Sequence, residues 1–173
     1  MTYKIFIPID STSLSLGANE VYEEIKREAL KREVDLTIIR NGSRGLFWLE
    51  PLVEVETSKG RVAFGPVTVD DVENLFDQEF YIGKGGDLCL GLTDELHWLK
   101  NQERLTFSRV GITDPVNIND YEKYDGFKGL KNALKLNSQT IFKIMTDSGL
   151  RGRGGAAFPT GIKWQTVLDT PSD

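Results

Sequence analysis

The chain has few residues of the kinds that bind metals or form disulfides: one cysteine, Cys89, and one histidine, His97, among 173 residues. A single cysteine excludes a disulfide framework within the chain and any iron–sulfur cluster held only by its cysteines. It also excludes a thiol oxidoreductase that works through a Cys-x-x-Cys pair. The sequence therefore predicts no iron–sulfur cluster in this chain.

Long apolar runs and an excess of positive charge are also missing. No stretch approaches the roughly 18 consecutive apolar residues of a membrane span. The start, MTYKIFIPID, lacks the basic region and apolar core of a signal peptide. The net charge is −5 and the pI is near 5.0, whereas proteins that coat nucleic acid usually carry a basic excess. We therefore expect a cytoplasmic protein without membrane insertion or nucleic-acid partners.

The first half has the patterns of a small α/β domain. Apolar residues recur at helical spacing in one segment, and short β-branched runs flank it. The predicted elements are a strand at 3–9, a helix at 17–32, a strand at 34–39, a hairpin of 52–56 and 61–64, and a helix at 69–76. Thr68 is the expected N-cap of the last helix. This β-α-β-β-β-α order predicts a thioredoxin-like domain over residues 1–82.

The second half is less regular. A glycine-rich joint, GKGG, begins a predicted linker at 83–100, which contains a short helical turn at 93–99. Beyond it we expect a strand within 105–112 and helices at 120–136 and 138–147, the last capped by Ser138. The stretch 101–173 is assigned to a second, incomplete domain.

The segment SGLRGRGGAAFPTGIKW, residues 148–164, concentrates glycine with positive charge. Gly149 follows a predicted helix and suits a left-handed C-cap position. Glycines allow backbone to lie directly against a ligand, and a helix beginning near Ile162 would favour an anion at its N-terminus. The spacing Gly152-x-Gly154-x-x-Ala157 matches a dinucleotide-binding pattern, but a helix rather than a strand precedes it. Gly161 is followed by isoleucine, which excludes a P-loop. An RNA-binding RGG segment is disfavoured by the acidic chain, and a purely structural glycine turn stays open.

This segment closely resembles the glycine-rich loop of the flavoprotein subunit of respiratory complex I and of its relatives, the NAD-reducing hydrogenases and NAD-dependent formate dehydrogenases. The upstream runs QERLTFSRVGITDP and DYEKYDGFKGLKNAL extend the resemblance over residues 101–169. One departure is Ala157, where the family commonly has glycine. The resemblance implies an FMN-binding domain of the complex I flavoprotein type and a cofactor site formed by Gly152, Arg153, Gly154, Gly155, Ala156, Ala157, Phe158, Pro159, Thr160, Gly161 and Lys163.

Roles within that site follow from the same resemblance. The glycine loop would form the wall against flavin and nicotinamide, and Lys163 would lie near the polar edge of the flavin. Phe158 would stack near the adenine end of NADH. Arg153 would meet a phosphate or a carboxylate of its own fold. No catalytic side chain is assigned, because the flavin itself carries the chemistry.

The first half of the sequence indicates which branch of the family the chain resembles. KIFIPIDSTSLSLGA, RNGSRGLFWLEPLVEVET and GRVAFGPV resemble the β subunit of soluble, molybdenum-dependent formate dehydrogenases. In related hydrogenase subunits a domain at this place carries a [2Fe–2S] cluster, with one cysteine pair spaced C-x₃-C. Ser43 and Phe47 have that spacing here and cannot supply thiolates. We expect a domain that has lost its cluster, with Phe47 buried in the gap.

The resemblance implies an oxidoreductase subunit that passes electrons between iron–sulfur clusters, FMN and NAD, with iron–sulfur and molybdenum subunits as partners. The alternatives are the flavoprotein subunit of NADH-quinone oxidoreductase or of an NAD-reducing hydrogenase, and a non-catalytic module that docks subunits. The sequence ends at Asp173, before the family's further flavin and cluster regions. We therefore expect a fragment or a truncated coding sequence that needs the missing region for both cofactors and is inactive alone.

Overall fold

A five-stranded mixed sheet organises the first part of the chain. The structure is a computed structural model that describes residues 2–171. The strands are β1 (Tyr3–Phe6), β2 (Leu36–Ile39), β3 (Val53–Thr57), β4 (Gly60–Phe64) and β5 (Cys89–Leu92). They lie in the order β2-β1-β3-β4-β5, with β1 and β2 parallel and every other neighbouring pair antiparallel. The first four strands, with β3 antiparallel to the rest, have the thioredoxin-like topology, so that prediction is confirmed.

Helices form much of the remaining described chain. They are α1 (Ser11–Ser15), α2 (Ala18–Lys31), α3 (Val72–Asp77), α4 (His97–Lys100), α5 (Ile118–Lys123), α6 (Lys128–Ala133), α7 (Ser138–Asp147) and α8 (Thr160–Asp169). Short 3-10 turns lie at Phe47–Leu49, Val69–Asp71, Phe80–Ile82 and Thr93–Glu95. The chain separates into two compact units, of which the first ends at Tyr124 and the second begins at Asp125.

The hydrophobic core of the first unit lies between one face of the sheet and helices α2 and α3. Helix α2 buries Ala18, Val21, Ile25 and Ala29, whose spacing of three to four residues places them on one face. The strands and the segment after α3 contribute fully buried aromatic and β-branched side chains, among them Ile5, Val53, Val55, Phe64 and Phe80. The predicted amphipathic helix and hairpin are therefore present, and their apolar faces build one core.

The opposite face of the sheet is covered by charged groups. Phe6 is 3% exposed, and the guanidinium of Arg61 lies 3.4 Å from the centroid of its ring. Glu54, on the same face, is 1% exposed. Alternation in Val53–Thr57 would place Glu54 in solvent, whereas the structure encloses it. This face therefore has its own cover, formed by later parts of the chain.

Three predicted elements need correction. Strand β5 lies within the predicted linker 83–100 and pairs with β4, Cys89 opposite Phe64, so this part of the linker belongs to the sheet. Residues 105–112 form turns and no strand, and the amides of Val110 and Ile112 donate within the segment, to Phe107 O and Arg109 O at 3.0 Å. Ser138 does not cap α7; the side chain of Asn137 accepts from the amide of Thr140 at 2.8 Å.

Two predicted helix boundaries are correct at the level of individual groups. Thr68 forms a capping box with Asp71 at the start of the turn that leads into α3. Gly149 follows α7 with φ +64, the left-handed conformation expected of a C-cap glycine. The predicted helix at 120–136 is divided into α5 and α6, with Asp125 and Phe127 in left-handed conformations between them.

The second unit is built from α6, α7, α8 and the glycine loop between the last two. Helix α8 approaches α7 closely at Gly161, where an added Cβ would lie 2.7 Å from Thr146 Oγ1 and 3.1 Å from Thr146 Cα. Within the described residues 125–171 only Gly126 and Gly161 are buried. The unit therefore has a close helix contact but buries no apolar side chain of its own.

Candidate functional site

The glycine loop is closed at its base by backbone hydrogen bonds. The amide of Gly152 donates to Phe158 O at 2.8 Å, and that of Thr160 donates to Leu150 O at 2.9 Å. The guanidinium of Arg151 donates to Ala157 O at 2.8 Å, which gives this arginine a structural role. The loop between these bonds is consequently a defined hairpin-like projection and not an extended coil.

Gly154 and Gly155 lie at the tip with open space around them. An added Cβ at either residue would meet no atom within 4 Å, and neither residue has a left-handed φ. Neither the backbone conformation nor the packing of the described chain therefore requires glycine at these two positions. Gly161 differs, because its glycine is explained by contact with α7.

Ala157 has φ +44, in the left-handed region that favours glycine. Its amide donates to Gly154 O at 3.1 Å, which completes a tight turn. The alanine therefore sits at the one loop position where the backbone itself favours glycine, and it does so under local strain.

Most of the remaining predicted site residues lie at the surface of the loop. Lys163 Nζ lies 5.7 Å from the centroid of the Phe158 ring, and both side chains are exposed beside Gly152. Arg153 and Ala156 are exposed on the projecting part of the loop, and Pro159 and Thr160 are half-buried where the loop enters α8. The structure thus brings an aromatic face, a cation and accessible backbone together at one surface. Gly161 lies against α7 instead.

The loops at one end of the sheet in the first unit do not match the prediction. Phe47 is 55% exposed, while the preceding Leu46 is 3% exposed, so the expectation that Phe47 fills the core is wrong. A turn at Phe47–Leu49 reverses the chain just after Leu46 and directs the two side chains differently. A cavity of about 610 Å³ lies next to Phe47, with Ile9, Asp10, Ser43 and Val110 among its lining residues.

A buried polar network occupies the region beside this cavity. Ser43 Oγ donates to Glu50 at 2.6 Å, and the amide of Leu52 donates to the same carboxylate at 2.8 Å. Burial raises the pKa of Glu50 above its usual range, against the opposing effect of these hydrogen bonds. Ser43 therefore has a clear role as a hydrogen-bond donor, which its spacing from Phe47 did not indicate.

A second buried cluster was not anticipated from the sequence. Arg44 donates to both carboxylate oxygens of Glu54, at 2.7 and 3.1 Å, and Arg61 donates to Glu54 at 2.9 Å. Arg44 is 7% exposed and Arg61 15%. Local sequence gave no signal for this cluster, because its members come from a loop and two strands that meet only in the folded chain.

Metal and membrane features are limited in the described residues. Across residues 2–171, no three His, Cys, Asp or Glu side chains are grouped so that they could hold a metal ion. Cys89 is a half-buried free thiol. Within the same range, no helix combines the length and apolar character needed to cross a bilayer.

Comparison with known proteins gives matches to subunits of nicotinamide-linked oxidoreductases. The chain is 42% identical over 74 residues to the HndC subunit of the NADP-reducing hydrogenase of Solidesulfovibrio fructosivorans, which covers 43% of the chain and 15% of that protein. It is 47% identical over 47 residues to the F subunit of the NADH-quinone oxidoreductase of Streptomyces coelicolor, covering 27% and 10%. The corresponding Escherichia coli protein is 43% identical over 64 residues, covering 36% and 14%. The chain thus spans at most 15% of the length of these three relatives.

The remaining comparisons concern family models and solved structures. No family model matches the chain. A thioredoxin-like [2Fe-2S] ferredoxin from Aquifex aeolicus superimposes with a TM-score of 0.44 and 17% identity, over 52% of the chain and 97% of the ferredoxin.

Proposed function

We propose that this chain supplies part of the NADH- and FMN-handling subunit of an NAD-dependent oxidoreductase, and more specifically of a formate dehydrogenase. The glycine loop carries the proposal, because Gly154 and Gly155 have no explanation within the described chain. A flat cofactor packed on that backbone would explain the absence of side chains at both positions. The relatives, subunits of an NADH-quinone oxidoreductase and an NADP-reducing hydrogenase, support the cofactor class.

The residues of the loop fit such a cofactor. Gly154 and Gly155 offer uncovered backbone, Arg153 and Lys163 offer exposed cations, and Phe158 offers an aromatic face beside Lys163. The loop residues would hold FMN, which when bound would supply the chemistry that links two-electron hydride transfer to one-electron transfer. In this arrangement the loop backbone positions the ring systems, and Lys163 favours negative charge on the flavin.

The exposed apolar surface of the second unit is consistent with a larger flavin domain. Ile144, Ile162 and Val167 are 54–75% exposed, and no apolar side chain of residues 125–171 is buried. Apolar residues on helices ordinarily pack against other elements. We therefore propose that FMN and NAD bind only when the remainder of the flavoprotein covers these helices, on the same polypeptide or as a separate chain.

Substitution of Gly154 by valine tests the loop. Valine fits the protein at this position, since an added Cβ meets nothing within 4 Å, so the domain should stay folded. It would occupy the volume assigned to the cofactor. With the remainder of the flavoprotein supplied, Gly154→Val should reduce flavin content and NADH-dependent dye reduction by about tenfold or more, which corresponds to about 1.4 kcal/mol of binding.

Gly129→Val is the matched control. Gly129 is also open, with nothing within 4 Å of an added Cβ, and it lies in α6 of the same unit. We expect normal flavin content and NADH oxidation from this variant. Normal flavin content and normal activity in Gly154→Val would show that the loop is only a turn, and the proposed function would fail.

The electron donor is tested separately. The chain, tagged and purified with its natural partner subunits, should reduce NAD with formate, and the preparation should contain molybdenum and iron. Reduction of NAD by hydrogen, or NADH oxidation coupled only to quinone, would replace formate dehydrogenase by one of the two alternatives. The proposed partners are accordingly the iron–sulfur and molybdenum subunits.

A second function, docking of a partner subunit by the thioredoxin-like unit, is favoured by one observation. Trp48 and Trp98 are 58% and 59% exposed and contact each other edge to face at 5.9 Å between ring centroids. Exposed tryptophans of this kind are typical of interface hot spots. Co-purification of partner subunits with a Trp48→Ala, Trp98→Ala variant tests it, and unchanged recovery would remove this function.

A further inference from the structure

Residues 104–113, here called the strap, cross the charged face of the sheet without forming a helix or strand. Their backbone nevertheless has specific partners in the first unit. Arg61 donates to Gly111 O at 3.2 Å and to Ile112 O at 2.9 Å. Asn41 donates to Gly111 O at 2.7 Å, from a side chain that is 2% exposed. Two side chains from separate elements therefore converge on one short stretch of strap backbone.

The charges behind these contacts are organised as one cluster, here called the arginine clamp: Arg44, Glu54 and Arg61. Glu54 accepts hydrogen bonds from both guanidinium groups. This fixes the position of Arg61, whose guanidinium also donates to the strap. A second carboxylate, the exposed Asp94, lies 3.8 Å from Arg44 Nη1. Carbonyl oxygens of the strap supply the partially negative partners that a buried guanidinium needs.

Gly111 shows that the fit is close on the side of the strap as well. It is buried and has φ +77, and an added Cβ would overlap Arg44 Cδ. At the other end of the strap, Arg104 donates to Arg44 O at 3.0 Å. One end of the strap is therefore hydrogen-bonded to Arg44, and the other end is hydrogen-bonded to Arg61 and Asn41.

Between these anchor points few apolar contacts hold the strap, although the guanidinium of Arg109 lies 4.8 Å from the centroid of the Tyr121 ring. Leu105 is 88% exposed, Phe107 65% and Val110 42%, so burial of apolar area contributes little. Segments with few buried contacts and a small number of hydrogen bonds open at lower free energy than the core. We infer that the arginine clamp docks residues 104–113 as a releasable strap, which opens without unfolding the sheet.

Release would change the surface of the first unit. The strap residues Arg109, Val110, Gly111 and Thr113 form one side of the 610 Å³ cavity, opposite the loops that contain Asp10 and Ser43. With the strap undocked, the cavity loses that side and Glu54 loses its cover. The clamp thus controls whether the strap borders the loops at this end of the sheet.

Hydrogen exchange measured on the full chain tests the strap directly. The amides of Val110, Ile112 and Thr113 donate within the strap, at 3.0 to 3.3 Å, and report its local structure. In the wild-type chain these amides should exchange faster than those of β1 and β3, since opening of the strap requires less free energy than unfolding.

Two variants disrupt the contact between clamp and strap, one with a substitution in the clamp and one with a substitution in the strap. Arg61→Met removes the donors, and Gly111→Ala introduces a side chain where Arg44 lies. Each should accelerate exchange of the three strap amides by about tenfold or more, given the usual strength of hydrogen bonds to charged groups. Trypsin cleavage after Arg104 and Arg109 should increase in parallel. Amides of β1 and β3 should change by no more than about twofold.

The controls match each variant. Lys4→Met removes an exposed cation that pairs with Glu56 on the same sheet, and Gly91→Ala alters a left-handed glycine, φ +88, with open space around it. Neither should affect strap exchange. If Arg61→Met also unfolds the sheet, Gly111→Ala decides the outcome. Strap exchange unchanged in Gly111→Ala, or strap and sheet amides accelerated equally, would overturn the inference.

Discussion

Replacement of Glu54 by alanine should strongly destabilise the first unit. Alternation along β3 would place Glu54 in solvent, where its loss would cost little. Glu54 is 1% exposed and receives hydrogen bonds from Arg44 and Arg61 at 2.7 to 3.1 Å. Alanine removes the buried carboxylate of the arginine clamp and leaves Arg44 with the exposed Asp94, 3.8 Å away. Two guanidinium groups, 7% and 15% exposed, then remain with incomplete partners.

The expected magnitude follows from that burial. Breaking a buried ion pair by removing one partner costs about 3–5 kcal/mol, because an uncompensated charge stays in the protein. With a urea dependence of about 1.5 kcal/mol per molar, the midpoint of unfolding should fall by about 2–3 M. Circular dichroism and the fluorescence of Trp48 and Trp98 in urea would measure it.

Glu56→Ala is the matched control on the same strand. Glu56 pairs with Lys4 at 2.7 Å, but both side chains are about half exposed, at 47% and 50%. An exposed pair of this kind contributes about 0.2–1 kcal/mol. Equal midpoints for Glu54→Ala and Glu56→Ala would refute the argument, since they would show that Glu54 is solvated in the folded protein.

Two further predictions concern strain and protonation. Ala157→Gly should relieve about 1–2 kcal/mol of left-handed strain, against about 0.4–1 kcal/mol for the added entropy of the unfolded chain. The loop should therefore be more stable, and the amide of Gly152 should exchange more slowly in the variant than in the wild type. Faster exchange of this amide would contradict the prediction. Glu50, whose pKa is raised by burial, binds its proton more tightly when folded, so its contribution to stability is lost as pH rises above about 4.5. The urea midpoint should therefore decline with pH more steeply in wild type than in Glu50→Gln, and parallel profiles would count against the assignment.

The elements of the first unit were largely predictable, because their signals are local. The spacing of Val21 and Ile25 predicts one buried helix face, and turn residues at Ser58–Gly60 separate two alternating runs. The parallel pairing of β1 and β2 follows from the helix between them. Residues 89–92 carried no such signal, since a short strand at a sheet edge is specified by its neighbour β4 and not by its own pattern.

The glycine loop was identified from sequence, but its glycines could not be ranked. The position of Gly149 after a helix indicated a cap, but composition treats Gly154 and Gly161 alike. In the structure Gly154 lies at an open tip and Gly161 at a helix contact. The difference depends on the distance to Thr146, which is a property of the folded chain.

The sequence by itself determined the order of β1 to β4 with α2 and α3, the thioredoxin-like class and the position of the glycine-rich segment, because hydrophobic period and turn chemistry act over a few residues. Only the tertiary structure decided that Leu46 is buried in place of Phe47, and that Glu54 joins Arg44 and Arg61 beneath residues 104–113. Burial of a charge depends on partners distant in sequence. Side-chain spacing within one strand cannot show whether such partners arrive to cover it.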